Sequence, residues 1–214
     1  MNQILYSEHN NLINNKKKKQ KKFKLLFYIS IFSILCVLFY FSYFSYITNK
    51  KEEFSKKLLN NFNVEQLYSD NNNYVTVELN SSGNFVVIGI IEIPKINIKY
   101  PILSNINDDL LKIAPCKFYG PFPNEKGNMC IAGHNYDDGR FFSNLHELNI
   151  GDIINIYDSN NNMIYYKIYE KFEVLKSNTS CTSQDTNGLK EITLITCNNF
   201  NGNRLIIKAR EAKK

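Results

Sequence analysis

Residues 191–209 read Glu191-Ile192-Thr193-Leu194-Ile195-Thr196-Cys197-Asn198-Asn199-Phe200-Asn201-Gly202-Asn203-Arg204-Leu205-Ile206-Ile207-Lys208-Ala209. Two apolar, β-branched runs flank a polar hexamer. This pattern predicts strands at 192–197 and 204–209, joined by a short loop that suits an antiparallel pair. The preceding chain has the same texture. Residues 85–93 are apolar and β-branched. Ile96 and Ile98 alternate with polar neighbours, and Pro94 and Pro101 bound that segment at turns or edges. Residues 129–132 form a short apolar run. Strands are also predicted at 152–157 and 163–174, separated by the turn Asp158-Ser159-Asn160-Asn161-Asn162. Helical signal is limited to 108–113, after an Asn/Asp start, and to 143–148. About eight short strands with turns between them predict an all-β barrel or sandwich. The domain, 85–214, is long enough for one real core.

Net charge locates the rest of the chain. The formal charge of +6 could mark a nucleic-acid binder or a membrane-surface protein. Residues 1–24 hold seven lysines (Lys16 to Lys19, Lys21, Lys22, Lys24) against one acid, Glu8, so this tail alone sums to +6. The other residues hold 19 basic and 19 acidic side chains. The body therefore has no net attraction for polyanions, which argues against nucleic acid as a partner.

The lysines precede residues 25–47, a stretch without a charge, Pro or Gly. As a helix rising ~1.5 Å per residue it is long enough for a hydrocarbon core of ~30 Å. A cleaved signal peptide would have a shorter apolar region and small residues at the cut. Here the distal end is Tyr40, Phe41, Tyr43, Phe44 and Tyr46, rings suited to the membrane interface. The reading is a retained single span in contact with membrane lipid. Residues 1–24 are the basic cytoplasmic tail, and everything after about residue 48 lies outside the cell membrane. Residues 48–84 form a stalk. Phe54, Leu58 and Phe62 give it one apolar helical stripe, Ser69-Asp70-Asn71-Asn72-Asn73 breaks it, and a short strand at 74–79 precedes a turn at 80–83.

Three scarce residue types mark candidate chemistry. Of five cysteines, Cys36 lies in the apolar span and Cys116, Cys130, Cys181 and Cys197 lie outside it. No C-x-x-C and no Cys/His cluster at zinc spacing occurs, so no metal site is predicted. Cys116 with Cys130 is one conceivable disulfide, whereas two disulfides would leave no catalytic thiol. His134 follows a short apolar strand; His146 reads as a surface residue. Arg140, Arg204 and Arg210 stand against 23 lysines, so an arginine here implies a need for a planar, permanently charged donor. On a hairpin, Arg204 returns beside Cys197. A cysteine nucleophile needs thiolate, only a few per cent populated at neutral pH for a pKa of ~8.5. It also needs an acid for the leaving amine, which His134 can supply, and an oxyanion donor, which Arg204 can supply.

Thr193-Leu194-Ile195-Thr196-Cys197 resembles the TLxTC signature of the sortases, membrane-anchored cysteine transpeptidases of Gram-positive bacteria. Gly133-His134-Asn135 with Asp138-Gly139-Arg140-Phe141-Phe142 is similar to the family's histidine region. Asn203-Arg204-Leu205-Ile206-Ile207 is similar to its arginine strand. Gly89-Ile90-Ile91-Glu92-Ile93-Pro94, with Pro101-Ile102, resembles its opening strands. These blocks occur in the family's order over residues 87–209. The resemblance implies a closed, eight-stranded β-barrel with short helices, preceded by the transmembrane helix. It implies that Cys197 attacks the Thr–Gly bond of an LPxTG-type sorting signal on a secreted protein and that His134 protonates the departing amine. A peptidoglycan precursor amine then resolves the thioacyl enzyme, and Arg204 binds the substrate backbone or oxyanion. No cofactor or metal is implied. Asn135, Tyr136 and Thr196 are candidates for contact with the signal.

Within the family, the absence of an Asp-Pro lid motif and of an apolar segment after Arg210 counts against a pilin-polymerising enzyme. The 17-residue stretch 175–191 is short for a haem-protein anchoring enzyme. A housekeeping or class D-like anchoring enzyme is the first choice. The alternatives are a peptidase that only hydrolyses such signals, a pilin-polymerising sortase, and a non-enzymatic wall-binding β-domain.

Overall fold

The strand pattern closes on itself. The computed structural model describes residues 2–65, 76–79, 83–198 and 201–212. The break read at 69–73 and most of the turn at 80–83 lie outside the described residues. The chain divides into two compact units, Met1–Lys50 and Lys51–Lys214. In the first, helix α1 (Asn2–Glu65, continuing into the second unit) contains the apolar stretch and is long and apolar enough to cross a membrane.

The second unit contains β1 (Thr76–Leu79), β2 (Gly83–Ile93), β3 (Ile98–Leu103), helix α2 (Asp108–Leu111), β4 (Cys116–Tyr119), β5 (Gly127–Ala132), β6 (Ile153–Asp158), β7 (Met163–Val174), β8 (Lys190–Cys197) and β9 (Arg204–Glu211). The pairing order is β2-β3-β4-β5-β8-β9-β7-β6, and β6 pairs back onto β2. This is the closed eight-stranded barrel, with β1 added as a hairpin partner of β2. Closure removes exposed strand edges, which explains why a chain with many short strands adopts it. The helical signal at 143–148 appears as a 3-10 helix, Ser143–Glu147. Strand β4 was not read from the sequence. Its four residues end in exposed Phe118 and Tyr119, so it lacks an apolar alternation.

Three apolar clusters pack around the sheet. Ile91, Ile93, Met129, Ile131, Ile192, Leu194 and Ile207 are among the side chains that fill the barrel. Outside β5, β8 and β9, Cys130, Ala132, Cys181, Ile195 and Ile206 form a second cluster beneath the β7–β8 connection. Strand β8 is thus buried on both faces, which accounts for its near-continuous apolar run. Asn128 pins that connection. Its Nδ2 donates to the carbonyls of Cys181 and Ser183, and its Oδ1 accepts from Thr193. The third cluster covers the outside of β2 and β3. There Phe54, Leu58 and Leu59 of α1 pack with Phe85, Val87, Leu103 and Leu110. The apolar stripe of the expected stalk is therefore part of the barrel unit, and Leu58 is buried.

Candidate active site

Register brings the three scarce residue types to one end of the barrel. Strands β5 and β8 run parallel, and their last matched pair is Ala132 with Ile195. Beyond that pair the chain runs through Gly133 to His134 on one side and through Thr196 to Cys197 on the other. Two hydrogen bonds extend the pairing: Gly133 N–H donates to the Ile195 carbonyl at 3.1 Å, and the Thr196 hydroxyl donates to the Gly133 carbonyl at 2.8 Å. Strands β8 and β9 are antiparallel, with Cys197 directly opposite Arg204. Directly opposed residues project to the same face, with Cβ atoms about 4.5–5.5 Å apart. The Asn198–Asn203 turn that joins them closes with an Asn198 N–H to Asn203 carbonyl bond of 2.8 Å.

Exposure separates the cysteines of this unit. Cys197 is exposed, while Cys116, Cys130 and Cys181 are buried, and all are free. Burial pushes the Cys116 and Cys130 thiols up to about 12 and also raises Cys181. These three are therefore poor sources of thiolate. Cys197 is the one thiol of the unit both accessible and set beside a histidine and an arginine.

His134 is half-buried. Its pKa is lowered, first by desolvation; Asp108 opposes this, and Lys112 and Arg140 reinforce it. Asp108 and Lys112 come from α2, whose start is capped by Asn107 Oδ1 accepting from the Asp109 and Leu110 N–H groups at 3.0 and 2.8 Å. Arg204 is partly buried, and its Nε–H has no protein partner among the described residues. It lines a cleft with Phe118, Lys176, Thr179, Cys181 and Ile195. A buried donor without a partner costs roughly 1–3 kcal/mol.

The three candidate contacts to a signal all make contacts within the protein. Asn135 Nδ2 donates to the Cys197 carbonyl at 2.8 Å. The Thr196 side chain is buried, with its hydroxyl spent on Gly133. The Tyr136 ring lies 5.0 Å from that of His134 and 4.4 Å from the Arg140 guanidinium carbon. Sequence reasoning assigned no role to Asp108, Lys112 or Arg140. Scarcity of arginine was the signal that could have singled out Arg140. His146 is exposed, as read. Among the described residues no group of three His, Cys, Asp or Glu side chains is placed to hold a metal ion.

The model of the sortase domain matches residues 91–212. The chain belongs to the sortase family. Sortase A of Bacillus anthracis is 34% identical over 112 residues. That match takes in 52% of this chain and 52% of the relative, so the chain spans about half the length of the curated relative it matches. Among solved structures, a Clostridium perfringens Sortase D5 transpeptidase superposes with a TM-score of 0.61 at 27% identity, over 74% of this sortase and 98% of that chain. A lid mutant of Sortase A from Corynebacterium diphtheriae gives a TM-score of 0.56 at 25% identity, over 63% and 75% of the two chains. The barrel of this sortase is thus the family's fold, and the family's members are membrane-associated cysteine transpeptidases.

Proposed function

We propose that this sortase cleaves an LPxTG-like sorting signal between Thr and Gly and joins the new carboxyl end to a peptidoglycan amine. The observation that carries the reading is register: β8 ends at Cys197 directly opposite Arg204 at the start of β9, the segment after the parallel strand β5 carries His134, and Cys197 is the exposed thiol of its unit.

The Cys197 thiolate adds to the threonine carbonyl carbon, and the Arg204 guanidinium donates to the oxygen on which charge develops. The C–N bond to glycine then breaks. The electron pair leaves with the amine, and the His134 imidazolium supplies its proton. The product is a thioester on Cys197. An incoming amine gives its proton to neutral His134 as it attacks, and the Cys197 thiolate departs. Free energy is conserved because a thioester links the two amides, and no step needs an external energy source. The desolvated His134 favours its neutral form.

The anchor places this chemistry. Residues 25–47 cross the cell membrane, the lysine cluster stays on the cytoplasmic side, and residues after about 48 face the wall. There the enzyme meets secreted proteins and lipid-linked wall precursor. The likeness to the Clostridium perfringens D5 transpeptidase along nearly all of that chain supports a class D-like anchoring role.

The test uses the full-length chain in detergent with an LPxTG peptide and either glycine or diaminopimelate as the amine. Mass spectrometry is expected to show a thioacyl adduct on Cys197 and an amide product. Free acid alone would mean a hydrolase. An adduct on another cysteine, or unchanged surface display in cells carrying Cys197→Ala, would defeat the assignment.

A further inference from the structure

The loop after β5 carries a set of contacts that the thioacyl chemistry leaves unused. Arg140 is one of three arginines in the chain, and its side chain is 11% exposed. Its guanidinium carbon lies 4.4 Å from the Tyr136 ring centre and 5.6 Å from that of Phe141. Its Nε donates to Asp138 Oδ2 at 2.8 Å, and its backbone N–H donates to Oδ1 at 3.2 Å. The Tyr136 ring in turn lies 5.0 Å from the His134 ring, tilted by 46°. Arg140 thus lies over the Tyr136 ring, which in turn makes a tilted contact with the His134 ring.

The backbone under this stack is closed on itself. Phe142 N–H donates to the His134 carbonyl at 3.1 Å, and Asn135 bridges to Phe141. Ser143 Oγ accepts from the Tyr136 N–H at 2.9 Å and donates to the Arg140 carbonyl. Phe141 is fully buried at φ +54°, in the left-handed region. A bulky aromatic residue persists there only when its surroundings over-determine it, as at sites that must aim a side chain. The side chain that opens this loop is His134. A lysine could match the charge of Arg140 but could not lie flat on a ring.

We propose that Arg140, held by Asp138 and stacked on Tyr136, is a positioning residue that fixes the His134 imidazole beside the end of β8. The inference rests on His134 being the proton donor of the proposed reaction. Other groups face His134 as well: Asp108 from α2 and Lys112 from its C-terminal cap. Arg140 and Lys112 disfavour the imidazolium, and Asp108 favours it.

Two measurements on the full-length protein in detergent test the proposal. In the first, Arg140→Met is expected to lower kcat by about tenfold or more, the scale of a misplaced catalytic group, with KM for the peptide within about twofold. Arg140→Lys keeps the charge without the planar stack and is expected to leave kcat low. The second measures the His134 ring proton by NMR titration in Cys197→Ala protein without substrate. Arg140→Met is expected to raise the His134 midpoint, and Arg140→Lys to hold it near the parent. Should Arg140→Met fail to fold, Asp138→Asn loosens the same clamp and is read in both ways. Full recovery of kcat by Arg140→Lys, an effect confined to KM, or an unmoved His134 midpoint in Arg140→Met would each overturn the proposal. The NMR arm needs no turnover. If His134→Gln retained transpeptidation, the reaction scheme would fail while this arm still tested the stack.

Discussion

Asn135 donates its side-chain amide to the main-chain carbonyl of Cys197 at 2.8 Å. This bond ties the residue after His134 to the end of β8, so the two halves of the site cannot drift apart independently. With the Thr196 hydroxyl on the Gly133 carbonyl, it forms a two-point link between segments 63 residues apart in sequence. A hydrogen bond of this kind has a net worth of about 0.5–1.5 kcal/mol, so Asn135→Ala is expected to reduce kcat/KM by roughly two- to tenfold. Unfolding free energy should fall by no more than about 0.5–1.5 kcal/mol, because Asn135 is partly exposed and its loss leaves no large cavity. Steady-state kinetics beside a melting curve checks this, and a large drop in Tm with normal kcat/KM would contradict it.

Reactivity should follow exposure among the cysteines of the barrel unit. Under native conditions iodoacetamide is expected to modify Cys197 well before Cys116, Cys130 or Cys181. The first two are held near 12 by burial, and the third is raised. Denaturant should expose all four. Peptide mapping after timed alkylation provides the readout. Early labelling of Cys130 or Cys181 would show that the β7–β8 connection opens readily.

Gly133 is required by packing against a ring. A Cβ there would meet the Phe142 ring at 2.7 and 2.8 Å. Phe142 is fully buried, and its N–H holds the His134 carbonyl, so it cannot yield without moving the histidine. Gly133→Ala is expected to cost about 1–3 kcal/mol, as overpacking generally does, and to lower kcat as well. Chemical denaturation and turnover measure the two effects. A stable, fully active variant would show that the ring moves freely.

His134 links stability to pH. Its folded pKa lies below the ordinary value, with desolvation the first cause. The unfolded chain therefore binds the proton first as pH falls. The stability tied to neutral His134 is fully present above the unfolded value of ~6.5 and is lost as pH falls through the folded value. His134→Gln is expected to flatten the decline of unfolding free energy in that window. Parallel declines for the two proteins would count against a buried, neutral His134.

Much of this was legible in the chain itself. The hairpin 191–209 announced β8 and β9 through its two β-branched runs and the polar turn between them. Residues 25–47 announced, through their length and lack of charge, a helix long and apolar enough to cross a membrane. Cys197, His134 and Arg204 stood out because each belongs to a type or a motif rare in this sequence. Other features were silent. Strand β4 has a single register pair with β3 and no apolar alternation, so nothing local marks it. The Phe54, Leu58 and Leu59 stripe predicted a helix but not its partner, which is the outer face of β2 and β3.

The sequence by itself determined most of the strands, where the chain is apolar enough to cross a membrane, and which side chains are candidates for the chemistry. Each of these is a local property of composition and period. Only the tertiary structure decided that the segment carrying His134 comes to the end of β8 that carries Cys197, because that follows from the parallel pairing of β5 with β8 and from hydrogen bonds made across more than sixty residues of sequence. It also decided which cysteine of the barrel unit is exposed, since the four have the same intrinsic thiol and burial separates Cys197 from the other three. The stack of Arg140 on Tyr136 beside His134 is of the same kind. Its members are close in sequence, but their alignment depends on a strained, buried Phe141 that the surrounding barrel holds in place.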